Sequence, residues 1–250
     1  MKKIFLALFL LVSSINSSAQ SSLPASKTSK LYPAKKIVSH YHNDWARNYY
    51  PKRIQEFKNK PLQWGEIVFI GNSITEGGND WSVKFAIPSI RNRGIAGDVT
   101  DGVLKRLDEI IYFKPKAVFI LIGINDLFSL HHTEDNPALD YHKIVPSTAY
   151  IGKNILKIAQ KIHRKSPSTK LYVRTLLPSH RSYLKEDILA VNSIIRKNEA
   201  KGYYEVIDLY AQFVDAQGEL PHELTQDGVH LNEKGYQKWV RFEKPIIDRL

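Results

Sequence analysis

The chain has 250 residues, 43% of them hydrophobic, with 36 Lys and Arg against 25 Asp and Glu and a formal net charge of +11. That length buries a core without covalent staples, and one main domain is expected. Cysteine is absent, which excludes disulfides, a Cys nucleophile, a thiolate metal site and a lipid-anchoring cysteine.

In chain order, Lys2 and Lys3 precede an apolar run from Ile4 to Val12, and Ser17-Ser18-Ala19 offers a small-residue cleavage site. This is the pattern of a signal peptide over residues 1–19, so an exported protein, periplasmic or secreted, is expected. The run falls well short of the ~18–20 residues that span a bilayer, and no stable membrane insertion is expected. Residues 20–63 read as a small, polar, basic leader followed by a segment that wraps the core, with "RIQEFKNK" as a helix leading into the first strand. The Lys and Arg residues are scattered, without a dense basic run or a nucleic-acid motif, so no nucleic-acid partner is expected.

From residue 64 to 250 a rhythm sets in. Short apolar or β-branched runs fall at 66–71, 89–94, 116–123, 170–177 and 204–209. Between them, "TDGVLKRLDEIIYF" puts Val103, Leu104, Leu107, Ile110 and Ile111 on one helical face, behind a Thr100 or Asp101 cap. "YIGKNILKIAQKIHRK", "DILAVNSIIRKNEA" and the closing "NEKGYQKWVRFEKPIIDRL" repeat the helical period. Strands alternating with helices predict a doubly wound, three-layer α/β/α sandwich around a five-stranded parallel sheet. Ligands then bind beyond the carboxyl ends of the strands, where the distinctive polar motifs fall.

Each of those motifs has a plain structural reading beside a chemical one. "GNSITEGG" at 71–78 lacks the Lys-Ser/Thr of a phosphate loop and the G-x-G-x-x-G of a dinucleotide site. Ser73 is left as a helix cap or a nucleophile. "DGVHLN" sets Asp227 three residues before His230, an ordinary loop or a base with the carboxylate that orients it. In "GIND", Asn125 closes an Asx turn or donates to an oxyanion. Gly97, in "RGIAGDVTDG", is able to present a bare N–H to that oxyanion. No metal is expected, since His222-Glu223 lacks the second histidine of a zincin and the other histidines form no ligand set.

The four blocks "GNSIT", "NRGIAGD", "GIND" and "DGVH", in this order, resemble the SGNH (GDSL-type) hydrolase superfamily over about residues 64 to 250. The 92–110 stretch, "NRGIAGDVTDGVLKRLDEI", is similar to the branch with platelet-activating-factor acetylhydrolase and bacterial carbohydrate acetylesterases. The resemblance implies a flavodoxin-like sheet and a serine esterase that needs no cofactor. It implies Ser73 as nucleophile, His230 as base, Asp227 as its orienter, and an oxyanion hole from the Ser73 and Gly97 amides and the Asn125 side chain. Asn72 stands where the family usually has Asp, and keeps an acceptor without the charge. The expected substrate is a small-molecule or glycan ester carrying an acetyl or other short acyl group. Asn72, Trp81, Phe128 and Arg181, with His180, are the candidates to line its cleft. A lysophospholipase or thioesterase is the rival within the enzymes, and a glycan-binding module of the same fold is the rival outside them.

Overall fold

A computed structural model describes residues 29–34, 38–135 and 140–250. The expected signal peptide and the start of the leader lie outside the described residues.

Strands β1 (Ile67–Gly71), β2 (Ile90–Gly94), β3 (Ala117–Leu121), β4 (Lys170–Arg174) and β5 (Glu205–Ile207) fall on the five apolar runs. They form one sheet in the order β2-β1-β3-β4-β5, every pairing parallel. This is the flavodoxin-like order, with its switch point between β1 and β3. β1 and β3 are buried along their whole length, as their unbroken apolar sequences require of central strands covered on both faces. Phe69, Phe119 and Tyr172 on neighbouring strands carry the core sideways, with ring centroids 5.0 and 4.6 Å apart.

Helices α2 (Ser73–Glu76) and α3 (Trp81–Phe85) follow β1, and α9 (Glu233–Ile247) packs beside α3. A second helical layer holds α4 (Thr100–Leu104), α5 (Asp108–Phe113), α6 (Ile124–Leu130), α7 (Thr148–Lys165) and α8 (Lys185–Glu199). The first helix, α1 (Asp44–Asn59), packs through Tyr50, Ile54 and Phe57 against Tyr32 and Ile95, in a cluster of its own.

Two helices differ from the sequence expectation. α1 begins well before Arg53, capped by Asn43, whose side chain accepts from Ala46 N at 2.8 Å. It continues through Pro51, a residue that normally starts or breaks a helix. The single helix expected over 100–113 is two, α4 and α5, because Arg106 turns inward between them. Its guanidinium binds Asp98 at 2.9 Å, the Arg93 carbonyl at 2.7 Å and the Gly71 carbonyl at 3.0 Å. Neither Thr100 nor Asp101 caps α4. The cap is Val99, without a side-chain bond.

Arg174, at the end of β4, is fully buried and makes two 2.7 Å bonds to Glu243 of α9. Its guanidinium also lies over the rings of Phe69, Phe119 and Trp239. This pair fixes the last helix to the sheet.

Candidate active site

Ser73 is the first residue of α2, directly beyond β1. Asn72 caps that helix, its side-chain oxygen accepting from Ile74 N at 3.1 Å. As the first helical residue, Ser73 has a main-chain N–H with no acceptor inside the helix.

Asp227 and His230 come from a loop pinched by a bridge between Thr225 and Leu231. His230 Nε2 lies 2.9 Å from Ser73 Oγ, and His230 Nδ1 lies 2.7 Å from Asp227 Oδ2. With a carboxylate on Nδ1, that nitrogen carries the proton and Nε2 is left to accept from the serine. The other Asp227 oxygen accepts from the His230 and Val229 amides at 2.8 and 3.0 Å. Partial burial alone raises the Asp227 pKa. The amide and imidazole bonds of His230 and the amide of Val229 outweigh it and hold the carboxyl below its usual range.

Asn125 sits in the first turn of α6 and donates Nδ2 to the main-chain oxygen of Asp98 at 3.0 Å. That bond uses one amide hydrogen and leaves the other for the cleft. Gly97 has φ +76°, and a Cβ there would lie 2.8 Å from the Ala46 methyl and 3.2 Å from the Trp45 ring. Only glycine fits this turn.

The loop of Gly97 and the helix of Asn125 are clamped together. Asp126, fully buried, accepts from Thr100 N at 2.9 Å and from Thr100 Oγ1 at 2.6 Å, while Asn154 donates to the same hydroxyl. The Asp126 carboxylate thus takes the first free amide of α4, which Val99 cannot cap. Burial raises the pKa of Asp126 to about 7; the Thr100 bonds oppose this and the charge of Asp98 adds to it.

Ser73, Gly97, Asn125 and His230 open on one cleft of about 290 Å³. Tyr41, Asn43 and Trp45 of the N-terminal segment form one wall, with Phe128 and Tyr141 beside them. The segment is held by Asn43, which bridges Tyr141, and by His42, fully buried 2.9 Å from Asp98. Sequence reading missed Tyr41, Asn43, Trp45 and Tyr141. The Asn43 cap before an aromatic helix was the available signal. A larger hollow of about 870 Å³, lined in part by Pro33, Arg47 and Lys58, contains none of the four motifs.

A family model described as the GDSL-like Lipase/Acylhydrolase family matches residues 69–238. The chain belongs to the GDSL-like lipase/acylhydrolase family. It is a carboxylic ester hydrolase. No curated protein matches the sequence. Among solved structures, a candidate acylhydrolase from Bacteroides fragilis is 21% identical, with TM-score 0.66, 82% of this chain and 98% of that one covered. A structure described as a candidate platelet activating factor from Streptococcus pneumonia is 25% identical, with TM-score 0.62 over 82% and 95% of the two chains. The acetyl xylan esterase AlAXEase is 20% identical, with TM-score 0.58 over 74% and 100%.

Not every expected cleft residue of this acylhydrolase is in the cleft. Phe128 lines it. Trp81 does not: it is fully buried among Phe69, Tyr236 and Trp239, with its Nε1 donating to the Thr75 carbonyl at 2.9 Å. Gly78 makes room for this indole, since a Cβ there would lie 2.1 Å from its ring. Asn72 is buried too, and its side chain serves the α2 cap. Arg181 reaches the main-chain oxygen of Asp227 at 3.4 Å, outside the cleft lining. His180 braces the same loop through its amide, 2.8 Å from the Gly228 carbonyl. Next in sequence to Asn43 and Tyr141, the exposed residues Asp44, Asp140 and His142 bring their polar atoms within 4.8 Å of one another. Among the described residues, no helix is long and apolar enough to cross a membrane.

Proposed function

We propose that this acylhydrolase is an exported serine esterase that removes acetyl and other short acyl groups from carbohydrate. Ser73 Oγ attacks the ester carbonyl while His230 Nε2 takes its proton, and Asp227 stabilises the imidazolium. The Ser73 and Gly97 amides and Asn125 Nδ2 receive the oxyanion. His230 then protonates the departing sugar oxygen, leaving an acyl group on Ser73. Water, deprotonated by the same imidazole, releases the acid and restores the serine.

The observation that carries this reading is the 2.9 and 2.7 Å relay opening on a short cleft. Its lining is aromatic and amide-bearing, with no Lys, Arg, Asp or Glu and no Leu or Ile. Such a surface suits a small acyl group on a polar, uncharged alcohol better than a long alkyl chain, which gains about 0.8 kcal/mol for each methylene only in a matching apolar groove. The acetyl xylan esterase and acetyl-xylooligosaccharide esterase among the structures of this fold support the same substrate class. Residues 1–19 support export.

The test is a rate series from acetyl to octanoyl esters, beside acetate release from acetylated oligosaccharides. Acetyl to butyryl should be preferred, with octanoyl at least ~10-fold slower, the effect of ~1–3 kcal/mol of overpacking. A rate that climbs steadily to octanoyl would replace this reading with a lipid-directed one. Stoichiometric labelling by a fluorophosphonate is expected, and its absence would leave only a glycan-binding module.

A further inference from the structure

Among the described residues two tryptophans are half exposed, Trp45 at 52% and Trp64 at 51%, and Trp45 is the one at the cleft. It lies in the wall of the cleft, with its ring edge beside Gly97. A bare indole next to the reacting serine loses hydration favourably only when something flat and partly apolar covers it.

Its position is built. Trp45 occupies the first turn of α1 and stacks on Tyr49, one helical turn on, with ring centroids 4.9 Å apart and planes inclined by 17°. The Tyr49 hydroxyl donates to Glu76, whose other oxygen accepts from the Ala96 amide at 2.6 Å. Glu76 belongs to the helix that starts at Ser73. One carboxylate therefore ties the backing ring of Trp45, the Gly97 loop and the nucleophile's helix into a fixed set of distances. Tyr49 stays a donor at every ordinary pH, because burial and its bond to Glu76 push its pKa up to about 12.

We propose that Trp45 is a stacking platform for a sugar ring in the alcohol part of the ester, and that it selects uncharged O-acylated glycans. This deepens, and rests on, the carbohydrate reading above. The negative face of an aromatic ring attracts the C–H-rich face of a pyranose, whose hydroxyls at the ring edge remain free for polar partners. Such partners stand close by: the Asn43 amide and the Tyr141 hydroxyl lie in the same wall. Charge points the same way: no Lys, Arg, Asp or Glu lines the cleft, so a charged group drawn into it would find no partner there.

The experiment compares full-length wild type, W45A and W45F on mono-O-acetylated xylobiose, ethyl acetate and octanoyl glycerol. W45A should raise KM for the acetylated disaccharide ~10-fold or more with kcat within ~3-fold, the signature of lost uniform binding. The disaccharide-to-ethyl acetate ratio of kcat/KM should fall by a similar factor, and W45F should restore most of it. If wild type prefers the disaccharide but W45A lowers both substrates in proportion, Trp45 only braces Gly97 and the platform is overturned. A wild type that prefers octanoyl glycerol or does not favour the disaccharide would overturn the carbohydrate reading itself, and the platform with it.

Discussion

Asn125 donates its side-chain amide to the main-chain oxygen of Asp98, 3.0 Å away, so one Nδ2 hydrogen is fixed before substrate arrives. In the proposed mechanism the remaining hydrogen meets a charge that develops only as the carbonyl is attacked. Asn125→Ala should therefore lower kcat by ~10²–10³-fold with little change in KM. Steady-state kinetics on a short-chain ester decides it. A change confined to KM would make Asn125 a substrate clamp.

Ser73 and Asp227 should separate cleanly in a paired experiment. Ser73→Ala should abolish fluorophosphonate labelling and lower ester hydrolysis by ~10³-fold or more, with folding intact. Asp227→Asn keeps the serine but loses the charge behind His230, so labelling should persist at a much slower rate. The pH profile adds a sign. Since its bonds hold the Asp227 carboxyl below the usual range, it stays ionised where an imidazole titrates. A fall of wild-type kcat/KM towards acid that persists in Asp126→Asn, and that EDTA does not alter, then reports protonation of the histidine base. A profile flat from pH 5 to 8 would remove the histidine from the mechanism.

Asp126 gives the protein a pH-dependent stability of unusual direction. Burial raises its folded pKa to about 7, well above the ordinary carboxyl value near ~4. Between about pH 4 and 7 the unfolded chain has released this proton and the folded chain has kept it. The folded state binds more protons there, so stability falls as pH rises through that window. Three units correspond to roughly 4 kcal/mol lost by pH 8. Asp126→Asn removes the titration, so its stability relative to wild type should improve from pH 4 to 8. Urea unfolding at several pH values measures this, and a constant difference between the two proteins would rule it out.

Trp81→Phe should lower stability and leave acyl preference alone. The indole is fully buried and its N–H is bonded to the Thr75 carbonyl, which also accepts from the Gly78 amide, so the variant leaves a void and removes one of two donors to that oxygen, on the order of 2–4 kcal/mol. Thermal melts and the acyl series together test it. A shifted chain-length preference would return Trp81 to the substrate site.

The strands were legible because burial on both faces leaves unbroken apolar runs, as in "AVFILIG". Ser73, Asn125, Asp227 and His230 were legible because short motifs at strand ends converge in a doubly wound sheet. The break between α4 and α5 was not, since the period of Val103, Leu107 and Ile110 continues across it. Only the inward turn of Arg106, which depends on acceptors brought by β1, β2 and Asp98, ends the helix. Trp81 was misplaced because closeness in sequence to Ser73 says nothing about which face of the turn an indole takes. Trp45 was overlooked for the converse reason: it precedes Ser73 by 28 positions, and long-range contacts such as His42 with Asp98, Asn43 with Tyr141 and Tyr49 with Glu76 bring it there.

The union of Arg174 with Glu243 bears on how the molecule is made. Until α9 docks, a guanidinium at the end of β4 has no carboxylate in an otherwise apolar centre, and leaving such a charge unpaired costs roughly 3–5 kcal/mol. Synthesis delivers Glu243 69 positions after its partner. A nascent chain halted short of that point should stay open and protease-sensitive, with Arg174 keeping water in the centre. The final helix thus works as a latch, and the sheet closes over a dry interior only once it has arrived.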